Sequence, residues 1–175
     1  MSEFGTGSSV RNFSLTTGLT GVINLLMKIS SILKKYSLFN GLDQEQIEQI
    51  LPFLAHETFE AGTNIFTEGS LNDKIMLILE GRVAVLKRGI ILMDLDEGSV
   101  FGEMEVLDVA PLAATIKALA ATKVIVLSVD ALGKIYQTDL KIYSCIVMNL
   151  ARIVTVRLRR MDNKTVSQSH FMDWS

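Results

Sequence analysis

Val100-Phe101-Gly102-Glu103-Met104-Glu105-Val106-Leu107-Asp108-Val109-Ala110-Pro111-Leu112-Ala113-Ala114-Thr115-Ile116 is the stretch around which the chain is organised. Strand-forming residues flank it on both sides. The stretch itself predicts a loop, one short helical turn and a second loop. A Gly-Glu pair opens it and Pro-Leu-Ala-Ala-Thr closes it. Glycine lets backbone approach a ligand closely, and successive backbone N–H groups at a short helix start form a concavity suited to an anion.

Outward from this stretch, Thr58 to Val129 reads as short strands punctuated by Gly62, Gly69, Gly81, Gly89 and Gly98. Ile65-Phe66-Thr67 is short and bounded by turns. Ile75-Met76-Leu77-Ile78-Leu79 is a continuous apolar run, as expected of a strand covered on both faces. Arg82 to Lys87 alternates, and Ile90 to Met93 and Val124 to Leu127 extend the series. Short strands at this spacing predict a mainly β fold with flanking helices, an antiparallel jelly-roll-like β-roll, rather than βαβ units.

Helices are predicted on either side. Over 20–36, Val22 or Ile23, Leu26, Ile29, Leu33 and Tyr36 recur at three- and four-residue steps, with Lys28, Lys34 and Lys35 between them. Three lysines are few for a membrane binder, so packing on the domain or on a second copy is the preferred reading. Asp43 is placed to cap a second helix with Ile47, Ile50, Leu51 and Leu54 as its apolar stripe. After Asp130, read as a cap, a long helix is predicted from about Leu140 to Met161, its buried face marked by Ile142, Ile146 and Leu150. Arg152, Arg157, Arg159 and Arg160 near its end are read as a solvated helix terminus that complements the dipole, in preference to a nucleic-acid contact.

The stretch resembles the phosphate-binding cassette of the cyclic-nucleotide-binding domain family, the β-roll of the catabolite activator protein and protein kinase A regulatory subunit type. The family pattern is Phe-Gly-Glu-(Leu/Ile)-Ala-Leu-Leu, a spacer, then Pro-Arg-Ala-Ala-Thr-Val. Phe101, Gly102, Glu103, Pro111, Ala113, Ala114 and Thr115 match it. Glu105 stands where the family has Ala, and Leu112 where it has Arg. The phrases Leu38-Phe39 to Leu42, Gly62 to Gly69, Asp73, Ile78 to Gly81 and Gly98 follow the family in order, so the resemblance covers about 33–160. It implies N-terminal helices over 20–56, a β-roll over 57–129 holding the cassette at 100–116, and lid or dimerisation helices over 130–161. Residues 1–19 are left as a flexible or appended arm and 162–175 as a polar tail.

The resemblance implies a non-catalytic regulatory or sensor module whose ligand is cyclic AMP, cyclic GMP or a related small molecule. The site it implies is Phe101, Gly102, Glu103, Met104, Glu105, Leu112, Ala113, Ala114 and Thr115. In the family an Arg fork and backbone N–H groups meet the phosphate, and the Glu of Gly-Glu meets the ribose 2′-hydroxyl. Glu103 keeps that role open, beside a plainer one of tying its own loop. Leu112 neither donates a hydrogen bond nor carries charge, and Glu105 repels an anion, so nucleotide recognition is expected to be altered or weakened unless another cation reaches in. Arg82, Lys87, Arg88 and Lys117 are the candidates.

Composition bounds the rest. The 175 residues, 49% hydrophobic and 21% charged with net charge −2, predict one globular domain with appended helices and no global basic field for nucleic acid. Transcription factors of the resembled family carry a helix-turn-helix after the long helix, and the polar tail here reads as no DNA-binding module. The apolar segment Leu15 to Leu33 is broken by Lys28 and polar residues, which argues against a membrane span. One cysteine fits a reducing cytoplasm. His56, His170 and Cys145 are too scattered for a zinc cluster, and no nucleophile elbow, Walker loop or zinc-protease motif argues for catalysis. Glu103 and Glu105 lie two apart, which in an extended loop puts both carboxylates on one side, with too few oxygens for a cation. Two readings stay open: a nucleotide-type sensor whose last helix moves with ligand, and a scaffold whose terminal helices make a homodimer or partner interface without nucleotide.

Overall fold

In a computed structural model the described residues are 27–169, with side chains described over 27–160. The first helix, α1, is described over 27–33 and followed by a tight 3-10 turn, Ser37–Phe39. Helix α2 (Gln44–Ile50) opens with a reciprocal capping box: Asp43 accepts from the Gln46 N–H while the Gln46 side chain accepts from the Asp43 N–H. Pro52, in the 3-10 turn Leu51–Phe53, lacks a backbone donor and ends the helical stretch.

The strands are β1 (Ala55–Phe59), β2 (Asn64–Phe66), β3 (Lys74–Glu80), β4 (Arg82–Lys87), β5 (Ile90–Asp96) and β6 (Val100–Phe101). Helix α3 (Glu103–Asp108) interrupts them before β7 (Thr115–Ala118) and β8 (Thr122–Ser128). Helices α4 (Val129–Thr138) and α5 (Leu140–Ser169) close the described chain. Two four-stranded antiparallel sheets result, ordered β1-β8-β3-β6 and β2-β7-β4-β5. This is the expected antiparallel roll with flanking helices and a long C-terminal helix.

Strand β3 explains how the layers are held. Its pleat sends Ile75 and Leu77 into a cluster with Leu33, Phe39, Ile47, Ile142, Ile146 and Leu150 of the helices. The alternate residues Met76 and Ile78 face the inside of the roll with Val83, Phe101, Ile116 and Val126. Both faces of the strand are therefore dry, which is why Ile75 to Leu79 has no polar alternation.

Some boundaries differ from the sequence expectation. Strand β1 was not anticipated and begins inside the segment given to the N-terminal helices. It is a sheet edge carrying exposed His56, so it lacks an apolar run. Ser128 rather than Asp130 caps α4, its hydroxyl accepting from the Ala131 N–H at 3.1 Å. Helix α5 begins at Leu140 as expected and continues past Met161 to Ser169. The first helix stops at 33, so Lys34 and Lys35 lie in a turn. Residues 1–26 and 170–175, with the expectations on the N-terminal arm and the Val22 to Leu26 part of the first stripe, lie outside the described residues.

Candidate functional site

Strand β6 delivers the chain to Gly102, whose φ of 77° turns the backbone into α3. A Cβ there would sit 2.5 Å from the Lys74 carbonyl oxygen and 2.9 Å from Phe66 Cε2, so only glycine fits both the conformation and the space. Asn72 fastens this corner. Its side-chain amide donates to the carbonyls of Lys74 at 2.8 Å and Gly102 at 2.9 Å, while its oxygen accepts from the Lys74 N–H at 3.0 Å. Phe101 is buried beneath, edge-on to Phe66 at 5.7 Å between ring centres.

The far side of the stretch is laced to the turn after β2. Leu112 donates its N–H to the Ser70 carbonyl at 2.8 Å and accepts from the Gly69 N–H at 2.8 Å. The Thr115 hydroxyl accepts from the Glu68 N–H at 3.1 Å. The Leu112 side chain is buried and supplies neither donor nor charge. Ala113 is exposed, Ala114 and Thr115 are half-buried, and Met104 projects outward.

Glu105 and Ala113 meet across the stretch, the Glu105 carboxylate accepting from the Ala113 N–H at 3.3 Å. The expectation that Glu103 and Glu105 point the same way fails because the segment is helical. Two residues are about 200° apart around a helix. Glu105 therefore turns to the rim, while the Glu103 side chain is only 1% exposed.

Glu103 meets the middle of the long helix α5. One of its oxygens accepts from the Arg157 guanidinium of α5, and the same guanidinium donates to the Val100 carbonyl at 2.5 Å. The second oxygen is buried with no hydrogen-bond partner among the described residues. Burial pushes the Glu103 carboxyl above its ordinary range. Arg157 and the backbone pull it back down, and nearby Glu105 pushes it further up. A buried acceptor left without a donor is costly.

Arg157 is therefore not the solvated helix end expected from sequence. Its side chain is 18% exposed. Of the four cations nominated to replace the cassette Arg, Arg82 is engaged by Asp96 at 2.6 Å, and Arg88 is held through its backbone N–H, which donates to Glu68, not through its guanidinium. No hydrogen bond or ion pair joins any of them to the 100–116 stretch among the described residues. The sequence hinted at Arg157 only through the arginine content of the helix end.

Further up, α5 is held by Asn149. Its buried side chain donates to the carbonyls of Leu38 at 3.1 Å and Asn40 at 2.7 Å, and its oxygen accepts from Arg152 at 2.9 Å. Beside α3, an apolar groove of about 430 Å³ is lined by Val106, Leu107, Leu132, Tyr136, Tyr143 and Leu150. It offers apolar surface and no cation. Among the described residues no helix is long and apolar enough to cross a membrane, and no three His, Cys, Asp or Glu side chains gather to hold a metal.

Comparison with known proteins agrees with this geometry. The family described as cyclic nucleotide-binding domain matches residues 56–139. The cAMP-dependent protein kinase regulatory subunit of Yarrowia lipolytica is 32% identical over 94 residues, 52% of this chain and 25% of that protein. The cyclic AMP receptor protein of Thermus thermophilus is 29% identical over 136 residues, 74% of this chain and 61% of that one. The chain thus spans only part of the length of either relative. Among solved structures, a cyclic nucleotide-binding domain from Methylobacillus flagellatus superposes with a TM-score of 0.74 at 25% identity, covering 83% of this chain and 84% of that one.

Proposed function

Because the chain belongs to the cyclic nucleotide-binding domain family through its 56–139 segment, we propose that it is a non-catalytic regulatory module in which the cassette and the last helix exchange one carboxylate. The observation that carries this reading is the bond from Arg157 of α5 to buried Glu103 of α3. It makes the position of α5 depend on the state of Glu103. The partnerless Glu103 oxygen is suited to a hydroxyl donor such as a ribose 2′-OH. Arg157 holds the other oxygen of the same carboxylate, so a hydroxyl arriving at Glu103 shares that carboxylate with Arg157 and biases the seat of α5.

The hydroxyl half of a cyclic nucleotide therefore fits these residues, and the phosphate half fits poorly. Leu112 withholds the charge-assisted bond an Arg would give, roughly 1.5–3 kcal/mol, or about ten- to a hundredfold in affinity. Glu105 adds repulsion and already holds the Ala113 N–H. We read this as altered or weakened recognition of cyclic AMP or cyclic GMP. The same contact favours a second reading, in which the roll is a scaffold that keeps its cassette closed with its own carboxylate and works through the surfaces of its helices, in a homodimer or against a protein partner. The relatives' cyclic AMP is the ligand to test first.

The test is isothermal titration with cyclic AMP and cyclic GMP at low salt, for the natural chain and a Leu112→Arg, Glu105→Ala variant, with amide exchange of α5 followed alongside. Binding by the variant, with faster exchange near Arg157, supports the sensor frame and assigns the loss to these two side chains. Micromolar binding by the natural chain overturns the weakened-recognition reading. No binding by either leaves the scaffold.

A further inference from the structure

Between Val100 and Ile116 the chain carries three acids, Glu103, Glu105 and Asp108, and no lysine or arginine. Among the described residues one cationic side chain is bonded to this stretch, that of Arg157, and its guanidinium is taken by Glu103 and the Val100 carbonyl. Turning Arg157 toward an incoming anion would strand the Glu103 carboxylate in a dry corner, so Arg157 does not replace the charge that Leu112 lacks. The Ala113 N–H, a backbone donor that an anion would use, is occupied by Glu105. What the stretch offers is acceptors. One Glu103 oxygen has no partner among the described residues although its side chain is only 1% exposed. The Glu105 carboxylate stands at the rim, near enough to push the Glu103 carboxyl up, and its bond to Ala113 uses one oxygen. Beside them, half-buried Phe66, Val85 and Met93 pack on the core of the roll, with Phe66 against Gly102 and Phe101.

Carboxylates accept and hydroxyls donate. A 3′,5′-cyclic nucleotide brings one ribose hydroxyl; its other two sugar oxygens are tied into a charged ester and donate nothing. A nucleoside without the phosphate brings three hydroxyls and no charge. We propose that this stretch takes a neutral ribonucleoside in preference to a cyclic nucleotide, its sugar hydroxyls donating to Glu103 and Glu105 and its base lying against the apolar side chains of the roll. The inference rests on the sensor reading above and names its ligand. Glu105, a penalty against a phosphate, becomes a binding group for a hydroxyl, and the bond to a charged acceptor is the stronger kind. Buried Leu112 becomes apolar wall beside an uncharged ligand. A free sugar has the hydroxyls and nothing to lay against Phe66, Val85 and Met93. Helix α5 covers Glu103 in this structure, so entry of the ligand is coupled to the seat of α5.

The experiment is isothermal titration of the full chain with adenosine, guanosine, inosine and uridine, each beside its 3′,5′-cyclic monophosphate, and with ribose. The expected result is that at least one nucleoside binds about tenfold or more tightly than its cyclic phosphate, and that its 2′-deoxy and 5′-deoxy forms each lose about tenfold. Glu105→Ala, a change at the rim, should weaken the nucleoside about tenfold, and Leu112→Arg with Glu105→Ala should invert the preference. A cyclic nucleotide that binds the natural chain as tightly as the nucleoside, or indifference to Glu105→Ala, overturns the proposal and leaves the sensor reading standing. Ribose binding as tightly as the nucleoside overturns it in favour of a simple polyol. Silence of the natural chain toward all four nucleosides overturns it as well. Cyclic AMP binding by the double variant would then keep the sensor reading, and silence there too would remove both.

Discussion

Arg157, midway along the long helix, and Glu103, the first residue of the cassette helix, form an ion pair across 54 positions of sequence. The carboxylate is fully buried and the guanidinium partly so. Removing one member of such a pair leaves the other charge stranded, which costs about 3–5 kcal/mol. Arg157→Ala should therefore destabilise the fold by about that amount in urea unfolding. The double substitution Glu103→Leu, Arg157→Met should recover most of it, because both charges then leave together. A loss under about 0.5 kcal/mol for Arg157→Ala would mean that the pair exchanges with water and does not hold α5.

The pH dependence of Glu103 has a definite sign. Its carboxyl is raised above 4.5 in the folded chain, chiefly by burial. Between the ordinary and the raised value the native state holds a proton that the unfolded chain has released. The contribution of this group is thus fully present below the ordinary value and is lost as pH rises through the raised one. Glu103→Gln cannot titrate, so its stability relative to the natural chain should improve as pH rises through that window. The check is the difference between the two urea curves at several pH values from acid to neutral; a difference that falls with rising pH would reverse the assignment.

Much of this was legible in the sequence for local reasons. Ile75 to Leu79 announced a strand dry on both faces, and Asp43 with Gln46 announced a helix start. The cassette residues are held by contacts within the roll, so their order in the chain was informative. Arg157 was not legible, because only the fold brings α5 onto α3, and a run of arginines at a helix end looks the same whether solvated or inserted. Glu105 was misjudged for a different reason. Two residues apart means one side in an extended loop and opposite sides in a helix, and six residues between two left-handed turns gave too little periodicity to decide.

The Glu105 contact predicts a local effect with little global consequence. It is a single bond of 3.3 Å at an exposed amide. Glu105→Ala should release the Ala113 N–H and speed its exchange by roughly fivefold, for a contact worth about 1 kcal/mol. Overall stability should move by under about 0.5 kcal/mol. Exchange at Ala113 unchanged by the substitution would show that the carboxylate does not guard this amide, and the closed-cassette reading would lose its support.

Gly102 tests the entry to the cassette. At φ 77° with the Lys74 carbonyl 2.5 Å from where a Cβ would stand, Gly102→Ala combines backbone strain with a clash against main chain that cannot step aside. A loss of about 2–4 kcal/mol is expected, larger than an ordinary surface substitution. Wild-type stability in the alanine variant would require β3 and α3 to separate at this corner, visible as loss of the Asn72 side-chain amide bonds by NMR.

Val109 ends α3 in the same left-handed region, φ 56°, and the prediction there has the opposite sign. Valine is branched at Cβ and left-handed backbone costs an L-residue about 1–2 kcal/mol, more when branched. Its side chain is 86% exposed, so no apolar burial offsets that strain. Asparagine tolerates the conformation through local hydrogen bonding. Val109→Asn should therefore stabilise the chain by about 1 kcal/mol, raising Tm by about 3 °C. If the variant is instead less stable, Val109 must be making a contact that compensates for its backbone. The apolar groove beside α3, lined by Val106 and Leu107 just before Val109 in the chain, is where a covering segment would then have to be sought.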